Sequence, residues 1–587
     1  MRREITTKEA GTLSGLFKLR VKYSPDKVAF KYFDKTDNKY IHKTWQETAK
    51  GVAQWHAALK RENLSKGDRV GVMIGVSYER ILFEFAAFGL GLVIVPMPTN
   101  SFEIADNIAN IFKETQIKFV LIEDETQEGL LFSVGNIVHN LKIVTLNQIS
   151  SWLPEEYNIE LPDIAFNTDP SDPDELATIH YSSGTSGMSK GAMLSHKNIL
   201  YNAEAISNYT SIKDNDLLVP FTGGYIFPVM MDFATAFPSS THPIEDLRII
   251  RPTHIVSANR LYEYLYKQIS MKLSKQPIWM QLLFKQAVET GWERFEYLQG
   301  RAKWQPKFLF WFLFDALIAK SIRQIFGGRL RCGFYAGGII APEIYKIFIG
   351  LGLPLLNCYG QAEAGPVISM SSPDDNLPSS VGKPLKGLDF HIKKENGELL
   401  VKSPSIMMGY WNNPSATEKT LKDRWLHTGD MFQIDNKDHL FFMGRISDLI
   451  VLQNGEKISP AHIEAAIKSD ILFDQVMVIG EAKPFLTALV VLNKELFKKL
   501  IQNIKVKKRV ALDPDAPLTL KNSYVKDAVL DRISDTMRDY PDYAKIRRVT
   551  LIAEAWTVEA GLLTVSLKLK RKALYDKYEK EIKQMYL

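Results

Sequence analysis

The stretch Tyr181-Ser-Ser-Gly-Thr-Ser-Gly-Met-Ser-Lys-Gly191 decides how the rest of this sequence is interpreted. It follows the apolar run 176–179 and, apart from one tyrosine and one methionine, consists of small and hydroxylated residues with one lysine. Glycines let the backbone approach a ligand and turn its amide hydrogens inward. Further donors come from four hydroxyls and one ammonium: Ser182, Ser183, Thr185, Ser186 and Lys190. The stretch therefore predicts a polyphosphate-binding loop.

The alternative is a flexible surface loop rich in glycine and serine. Two observations count against it: a lysine framed by glycines is unusual in a linker, and residues 192–199 predict the beginning of a helix. The spacing also differs from the G-x-x-x-x-G-K-[ST] pattern, so the fold of the usual phosphate-loop ATPases is not implied.

Composition indicates a large globular protein rather than a nucleic-acid binder. The 587 residues predict two or more domains, and the 45% hydrophobic and 24% charged contents are ordinary. The net charge is +6, and the one dense basic run is 568–572, so no nucleic-acid partner is expected. Two cysteines cannot build a disulfide framework or a zinc site, and the N-terminus lacks an apolar signal core. We expect a cytoplasmic protein.

The first half of the chain alternates helical and strand-like segments. Residues 45–59 have apolar side chains at helical spacing, 69–74 and 92–95 are strand-like around a helical stretch at 81–88, and 117–122 is another short apolar run. Such alternation predicts parallel sheets covered by helices on both faces.

The pattern changes near residue 444. An Asn454-Gly455 pair between apolar runs predicts a hairpin, and 460–467 predicts a helix. We therefore predict a large domain over 1–443, a hinge at 444–448 and a smaller α+β domain over 449–587.

Five further segments carry chemistry when taken with the loop. Asn357-Cys-Tyr-Gly-Gln-Ala-Glu363 combines an amide, an aromatic ring and a carboxylate, which can hydrogen-bond a purine, stack on it and hold a hard cation. Trp425-Leu-His-Thr-Gly-Asp430 ends in an aspartate suited to ribose hydroxyls. The others are Gly444-Arg445, Gly455-Glu-Lys457 and a segment that ends at Lys568. Each alone is explained as well by a turn, an ion pair or a solvated basic tail.

In this order the six segments resemble the adenylate-forming superfamily of acyl-CoA synthetases, adenylation domains and luciferases, over nearly the whole chain. Residues 327–331, 336–338 and 556–571 and the aromatic-rich insert from about 271 to 319 are most similar to the long-chain fatty acid–CoA ligases. The resemblance implies an α/β fold. It predicts a large N-terminal domain of parallel sheets flanked by helices plus a distorted β-barrel, and a small mobile α+β C-terminal domain.

The resemblance also implies a two-step reaction. A carboxylate attacks the α-phosphate of Mg-ATP to give an acyl-adenylate and pyrophosphate, and coenzyme A then displaces AMP. The implied cofactors are ATP and Mg²⁺, with coenzyme A as cosubstrate. The small domain is expected to close for the first step and to rotate for the second.

Residue roles follow from the same resemblance. In the phosphate loop, Ser182, Thr185, Ser186, Gly187 and Lys190 are expected to bind the β- and γ-phosphates. The adenine is expected to meet Gly338, Asn357 and Gly360 and to stack on Tyr359. Glu363, with Thr185, is expected to bind Mg²⁺, and Asp430 the ribose hydroxyls. Arg445 is expected to contact ribose or phosphate, Lys568 to bridge the carboxylate and the α-phosphate, and Gly455 to enter the site for thioester formation.

The sequence departs from the family at four places. Position 362 is alanine where the family usually has threonine, Ser447 replaces the common lysine or aspartate at the hinge, and Val565 stands where proline is usual. Residues 221–228 lack the family's histidine, and the segment before 249 is shortened. That region helps line the acyl pocket in the family.

The insert admits two interpretations. Residues 308–319 are too short and too interrupted to span a bilayer. They are predicted to form a buried helix; the alternative is peripheral contact with a membrane.

Three functions remain open. The first is a fatty acid–CoA ligase. The second is an acyl-AMP ligase that loads a carrier protein, and the third is a nucleotide-binding scaffold with weak catalysis. Pyrophosphate release with coenzyme A or with a carrier protein separates them.

Overall fold

A computed structural model describes residues 3–34, 37–99, 104–133, 141–154, 172–182, 189–239, 242–508, 512–564 and 567–587. The strands are β1 (Val28–Asp34), β2 (Lys39–Thr44), β3 (Arg69–Met73), β4 (Val93–Pro96), β5 (Phe119–Ile122), β6 (Lys142–Thr145), β7 (Leu176–Ser182), β8 (Lys190–Ser195), β9 (Leu217–Pro220), β10 (Ala234–Phe237), β11 (His254–Ala258), β12 (Cys332–Ala336), β13 (Leu355–Gly360), β14 (Val367–Met370), β15 (Lys383–Pro384), β16 (Asp389–Ile392), β17 (Glu398–Lys402), β18 (Gly409–Tyr410), β19 (Leu421–Lys422), β20 (Trp425–Ile434), β21 (Leu440–Arg445), β22 (Ile450–Val451), β23 (Lys457–Ile458), β24 (Phe473–Ile479), β25 (Leu486–Leu492) and β26 (Ile546–Ile552).

The α-helices are α1 (Thr7–Ala10), α2 (Leu13–Tyr23), α3 (Trp45–Arg61), α4 (Tyr78–Gly89), α5 (Ile104–Thr115), α6 (Glu125–Ser133), α7 (Ile149–Trp152), α8 (His196–Ser207), α9 (Ile226–Met231), α10 (Leu247–Ile250), α11 (Asn259–Leu273), α12 (Ile278–Leu298), α13 (Trp311–Phe314), α14 (Lys320–Arg323), α15 (Pro342–Gly350), α16 (Pro414–Thr420), α17 (Pro460–Lys468), α18 (Lys494–Lys508), α19 (Ser523–Thr536), α20 (Arg571–Lys577) and α21 (Glu579–Gln584). Short 3-10 turns and one π-helical segment, Asp315–Ala319, connect some of them.

The phosphate-loop stretch belongs to a seven-stranded sheet with the order β18-β8-β7-β4-β3-β5-β6. Its strands from β7 to β6 run parallel, and β8 and β18 add an antiparallel edge. All four residues of β5 are buried, as expected of a parallel strand covered on both faces.

A nine-stranded sheet has the order β15-β14-β13-β12-β11-β9-β10-β1-β2. The strands β13, β12, β11, β9, β10 and β1 are parallel, and β2, β14 and β15 pair antiparallel at the two ends. Because β12 and β13 are parallel neighbours, the residues that follow them lie at the same sheet edge, where α/β sheets bind ligands.

Helices α2, α3 and α4 pack with residues of both sheets into one apolar cluster. Trp45 and Trp55 of α3 lie in it beside Phe17 and Phe83, all at most 2% exposed. Burial of such large aromatic side chains is the main stabilising term of this region.

A third, five-stranded antiparallel sheet forms a half-barrel in addition to the two larger sheets. Its order is β16-β17-β20-β19, and β21 pairs with β20. Leu399, Val401, Leu426 and Leu440 fill its interior. The sheet positions the ends of β20 and β21, which carry two predicted site residues.

The C-terminal part has its own apolar cores. The hairpin β22–β23 precedes α17, and a three-stranded sheet β24-β25-β26 packs against α17, α18 and α19. The other face of that sheet is covered by apolar side chains from 556–563 and 569–586. The architecture confirms the predicted α/β class with a smaller C-terminal domain.

Most predicted elements are confirmed, including α3, β3, α4, β4, β5, α17 and the Asn454-Gly455 hairpin turn. The predicted helix start at 192–199 was placed too early. Residues 190–195 form β8, whose Ala192 and Leu194 are buried in the sheet core, and α8 begins only at His196. Ser195 caps the helix in a reciprocal capping box with Asn198.

The prediction of a buried helix at 308–319 was wrong for most of its apolar residues. Phe308 is buried, but Leu309, Phe310 and Phe312 are 64%, 56% and 65% exposed. The cause is the short hairpin that this segment makes with α12, which leaves one side of it uncovered. In the described part of the chain, the helices are too short or too polar to cross a membrane.

Candidate active site

The phosphate-loop stretch is described only at its two ends. Tyr181 and Ser182 end β7, and Lys190 begins β8, where the two strands pair Ser182 with Lys190. The predicted phosphate ligands Thr185, Ser186 and Gly187 lie outside the described residues. At the described end, the Lys190 ammonium lies 5.2 Å from the centre of the Tyr410 ring.

Glu363 lies in the 3-10 turn Ala362–Ala364, directly after β13. The residue is 8% exposed, and its carboxylate oxygen Oε1 accepts a hydrogen bond of 2.8 Å from the Tyr410 hydroxyl. Its backbone carbonyl accepts from the Met407 amide at 2.9 Å. The turn is thereby fixed beside β18, the strand that carries Tyr410.

Tyr410 is a site residue that the sequence reasoning missed. It contacts both Lys190 and Glu363, two residues predicted from separate motifs. The signal in the sequence was a Gly409-Tyr410-Trp411 run after an apolar segment, which is indistinguishable from an ordinary core strand. Strand pairing of β18 with β8 is what places it in the site.

The Glu363 carboxylate fits the Mg²⁺ ion that the family resemblance implies. Mg²⁺ is usually bound through one or two carboxylates plus substrate phosphates rather than by a full protein cage. Across the described residues no cluster of three or more His, Cys, Asp or Glu side chains forms a metal cage. A single buried carboxylate near the phosphate-loop lysine therefore suits a nucleotide-bound Mg²⁺.

Asp430 joins the strand β20 to two other site residues. It is 3% exposed. One carboxylate oxygen accepts from the Tyr359 hydroxyl at 2.7 Å, and the other accepts from Nε of Arg445 at 3.0 Å. A carboxylate has about four acceptor positions, so two remain for a pair of ribose hydroxyls. Asp430 and Arg445 are also direct partners in the β20–β21 ladder.

The electrostatics of this group follow from its burial. Burial and the neighbouring Asp430 raise the pKa of the Tyr359 hydroxyl far above its ordinary value, so the tyrosine stays a neutral donor. Although burial alone would lower it, the pKa of Arg445 is raised because the guanidinium faces Asp430. The Arg445 guanidinium therefore stays charged throughout the neutral pH range.

The residues predicted to meet the adenine lie on, or shortly after, two neighbouring parallel strands. Asn357 and Tyr359 are on β13, and Gly338 lies two residues beyond β12. The Asn357 amide nitrogen donates to the Ser380 carbonyl at 3.0 Å, which orients the side chain. Position 360 has no room for a side chain, because a Cβ there would lie 2.0 Å from the Pro366 carbonyl oxygen.

Lys568 belongs to the C-terminal part of the chain and lies within electrostatic reach of Asp430. The Thr564 amide donates to the Lys568 carbonyl at 2.8 Å, and the Lys568 amide donates to the Thr564 hydroxyl at 3.0 Å. The side chain keeps solvent access. Even so, the protein around it lowers the pKa of its ammonium, Arg445 lowers it further, and Asp430 acts in the opposite direction.

Gly455 lies at the tip of the β22–β23 hairpin with φ +86°, a conformation that favours glycine. Its amide donates to the Leu452 carbonyl at 2.9 Å. The residue is exposed.

The described site therefore has two halves. One half holds Lys190, Tyr410 and Glu363, and the other holds Tyr359, Asp430 and Arg445 with Lys568 nearby. The first combines a cation with a carboxylate that can hold a divalent metal, which suits a polyphosphate. The second offers hydrogen-bond acceptors beside an aromatic ring, which suits a nucleoside. Together they can stabilise charge that develops on a phosphate between them.

Comparison with known families covers both parts of the chain. Residues 17–411 match the family described as AMP-binding enzyme. Residues 447–587 match the family described as AMP-binding enzyme C-terminal domain.

Individual relatives are distant but cover most of the chain. It is 26% identical to the long-chain-fatty-acid–CoA ligase FadD15 of Mycobacterium bovis, over 96% of this chain and 95% of that one. It is also 26% identical to the chloroplastic long-chain-fatty-acid–[acyl-carrier-protein] ligase AEE15 of Arabidopsis thaliana, over 71% and 62%. The crystal structure of the anthranilate CoA ligase AuaEII with anthranoyl-AMP superposes with a TM-score of 0.70 at 17% identity, over 96% and 97%.

Proposed function

The chain belongs to the AMP-binding enzyme family and, with relatives named fatty acid–CoA ligases, is an AMP-forming acid–thiol ligase; we propose that its acid is a long-chain fatty acid and its thiol coenzyme A. The chain-length assignment is supported by the long-chain-fatty-acid–CoA ligase relatives and by the 271–319 insert. The roles of individual residues below are part of the same proposal.

The first step joins the acid to the nucleotide. A carboxylate oxygen of the fatty acid forms a bond to the α-phosphorus of ATP, the bond to the bridging oxygen breaks, and pyrophosphate leaves. Lys190 is assigned to the leaving phosphates and Asp430 to the ribose. Lys568, held near Asp430 and Arg445, is assigned to the carboxylate and the α-phosphate. A bound Mg²⁺ would neutralise phosphate charge beside Glu363.

The second step transfers the acyl group. The thiol sulfur of coenzyme A attacks the acyl carbonyl carbon, a carbon–sulfur bond forms, and the bond to AMP breaks. We propose that the domain after the hinge 444–448 rotates to bring Gly455 into the site for this step. The division into domains 1–443 and 449–587 is supported by the separate apolar core of the C-terminal part.

One observation carries the proposal more than any other. Lys568, from one domain, lies in the electrostatic field of Asp430 and Arg445, from the other. A lysine of a solvated surface tail would not be expected beside a buried aspartate of the other domain. An adenylation site requires that arrangement during the first step.

The test is a pyrophosphate-release screen over acid chain length, with and without coenzyme A. Release that depends on a long-chain acid, with acyl-CoA formed on adding coenzyme A, is the expected result. The variant Lys568→Ala should lose pyrophosphate release yet still convert preformed acyl-adenylate to acyl-CoA. Loss of both half-reactions would contradict the role of Lys568, and no release with any acid would contradict the function itself.

A carrier protein is the second candidate acceptor, supported by the acyl-carrier-protein ligase relative. Replacing coenzyme A with a phosphopantetheinylated carrier distinguishes the two. Nucleotide binding with no pyrophosphate release would instead support the scaffold interpretation.

We also propose that the protein contacts a membrane through one surface, called here the apolar hairpin: α12 with residues 306–323. The two segments pack along each other, with Trp311 so close to Gly291 that a Cβ there would lie 2.5 Å from the ring. Eleven of the twenty-five exposed large apolar side chains recorded for the described residues lie on it or in its connection: Ile278, Trp279, Leu282, Tyr297, Leu298, Trp304, Leu309, Phe310, Phe312, Leu313 and Leu317.

The charge of this region selects the occupant. Residues 271–323 contain nine lysines and arginines and four acidic residues, a net charge of +5 against +6 for the whole chain. Apolar side chains, interfacial tryptophans and surrounding lysines are the composition of elements that lie on anionic bilayers. A second copy of the chain would bring the same positive charge to the contact.

Co-sedimentation with lipid vesicles tests the contact. We expect binding to anionic vesicles, weaker binding to neutral ones, and a loss of binding in the double variant Leu309→Ser/Phe310→Ser. Leu518→Ser, which removes a leucine that is 78% exposed elsewhere, is the matched control. Equal binding by the double variant, or a dimer in solution that the same substitutions dissociate, would overturn the membrane assignment.

A further inference from the structure

Tyr410 joins the two charged groups that face the triphosphate in the proposed function. We propose that Tyr410 is a positioning residue: its hydroxyl holds the Glu363 carboxylate, and its ring holds the Lys190 ammonium. The inference rests on the proposed ATP site and adds to it a residue that fixes the metal-binding carboxylate and the phosphate-binding lysine together.

The position of Tyr410 is set by strand pairing. In the β18–β8 pair, Tyr410 lies opposite Ala192 and Gly409 opposite Met193. The Tyr410 amide donates to the Thr417 hydroxyl at 2.9 Å. Position 409 is held with φ +146°, and a Cβ there would lie 2.9 Å from the Thr417 methyl carbon. The tyrosine is therefore rigidly placed beside the strand that begins with Lys190.

The hydroxyl makes the hydrogen bond that orients Glu363. Tyr410 is 7% exposed, and its hydroxyl lies 2.8 Å from Oε1 of Glu363. A carboxylate oxygen can only accept, so the tyrosine hydroxyl is the donor of this bond. The adjacent Ala362 carries no hydroxyl, and within the described residues Tyr410 is the recorded side-chain partner of this carboxylate. Oε2 takes no part in this bond and is the oxygen that we assign to a metal.

The ring acts on the lysine. The Lys190 Nζ lies 5.2 Å from the ring centre, within the range of a cation–π contact. Lys190 is exposed, so without the ring its long side chain would sample many rotamers. The contact restricts the ammonium to the side of the site where Glu363 lies.

These two contacts have separable consequences. The hydroxyl acts only through Glu363 and hence through Mg²⁺, whereas the ring acts through Lys190 and hence on the phosphates directly. Removal of the hydroxyl should weaken the binding of Mg-ATP and leave the binding of metal-free ATP unchanged. Removal of the ring should weaken both.

Calorimetry on the full chain, with ATP in Mg²⁺ and with ATP in a chelator, measures these quantities without turnover. We expect Tyr410→Phe to bind Mg-ATP roughly 10-fold more weakly than wild type, the cost of one hydrogen bond to a charged group, with unchanged affinity for metal-free ATP. Tyr410→Leu should weaken metal-free ATP severalfold as well. The Mg²⁺ concentration that gives half-maximal pyrophosphate release should rise in Tyr410→Phe.

The matched control is Tyr209→Phe, which deletes a hydroxyl that donates to the Pro384 carbonyl, outside the candidate site. It should leave both affinities unchanged. Equal weakening of both forms of ATP in Tyr410→Phe would show a merely structural role, and wild-type affinity for Mg-ATP would show no role; either overturns the inference. Both outcomes are read from binding and are therefore distinct from failure of the proposed ligase activity.

Discussion

Asp430 is the residue on which the candidate nucleoside site depends. Asp430 accepts a hydrogen bond from Tyr359 and forms an ion pair with Arg445. It also interacts electrostatically with Lys568. The sequence predicted these four residues from separate motifs. The sequence could not predict the contacts among these residues, because the contacts form where the half-barrel sheet, the nine-stranded sheet and the C-terminal domain meet.

Two residues show where the sequence-based prediction of single side chains stops: Tyr410 and Thr185. Tyr410 was missed because its role comes from the pairing of two strands that are more than 200 residues apart in the chain. Thr185, Ser186 and Gly187 lie outside the described residues, and their roles stay predictions. The metal role of Glu363 also stays a prediction, and Tyr410, the residue that hydrogen-bonds its carboxylate, was not predicted.

The lowered pKa of Lys568 predicts an alkaline limit for the first step. The ammonium must be protonated to neutralise the carboxylate and the α-phosphate, and its proton leaves at a pH below the ordinary lysine value of 10.5. We expect pyrophosphate release to fall as the pH rises toward that lowered pKa. In Lys568→Arg the fall should move to higher pH, because a guanidinium stays charged. Identical pH profiles of the two proteins would contradict this assignment.

At the scale of elements, the junction of β8 and α8 shows what local patterns omit. Residues 192–199 have the spacing of a helix start, yet the first four continue a strand because β7 and β18 pair with them on both sides. Tertiary pairing outweighs local preference there. The exposed apolar hairpin is the converse case, since an apolar pattern predicts burial only where another element is present to cover it.

His196, the first residue of α8, predicts a stability change with pH. Burial lowers its pKa to about 4, and its Nδ1 accepts a hydrogen bond from the Leu13 amide at 3.3 Å. The folded state therefore holds the neutral ring while the unfolded chain titrates near 6.5. The stabilisation is complete above pH 6.5 and is lost as the pH falls toward 4, by about 2 kcal/mol between pH 7.5 and pH 5.

Urea unfolding of wild type and His196→Gln at pH 7.5 and pH 5 checks this expectation. The variant should be less stable at pH 7.5 but should lose about 2 kcal/mol less than wild type between the two values. Other buried histidines, such as His56 and His254, contribute the same sign to both proteins. A pH dependence that is equal in both proteins would rule out His196 as a contributor.

At the scale of the molecule, polar contacts are among those that join the two predicted domains. Lys267 pairs with Asp474 at 2.8 Å, the Tyr266 hydroxyl donates to the Ser469 carbonyl at 2.8 Å, and a cavity of about 40 Å³ lies beside them. Polar contacts of this kind are weak and separable. The fold class was predictable because short apolar runs in the sequence indicate the strands of each sheet. The contact between the domains was not, because it involves polar surface residues, which have no recognisable pattern in the sequence.

Charge reversal at this contact tests the domain arrangement. Lys267→Glu should slow pyrophosphate release severalfold, because repulsion from Asp474 opposes the arrangement that places Lys568 near Asp430. Conversion of preformed acyl-adenylate to acyl-CoA should be unaffected. The double variant Lys267→Glu/Asp474→Lys restores the opposite charges and should recover the first step. Slowing of both half-reactions by the single variant would contradict separate arrangements for the two steps.

The pairing of Asp430 with Arg445 has a consequence for the order of events in a catalytic cycle. Arg445 is the last residue of β21 and lies at the beginning of the proposed hinge 444–448. A ribose that engages Asp430 would therefore share the carboxylate that anchors the start of the hinge. Departure of AMP would leave Asp430 to its two protein partners, Tyr359 and Arg445, so product release would change the surroundings of the hinge anchor. The Asp430–Arg445 ion pair would then take part in both product release and rotation of the C-terminal domain.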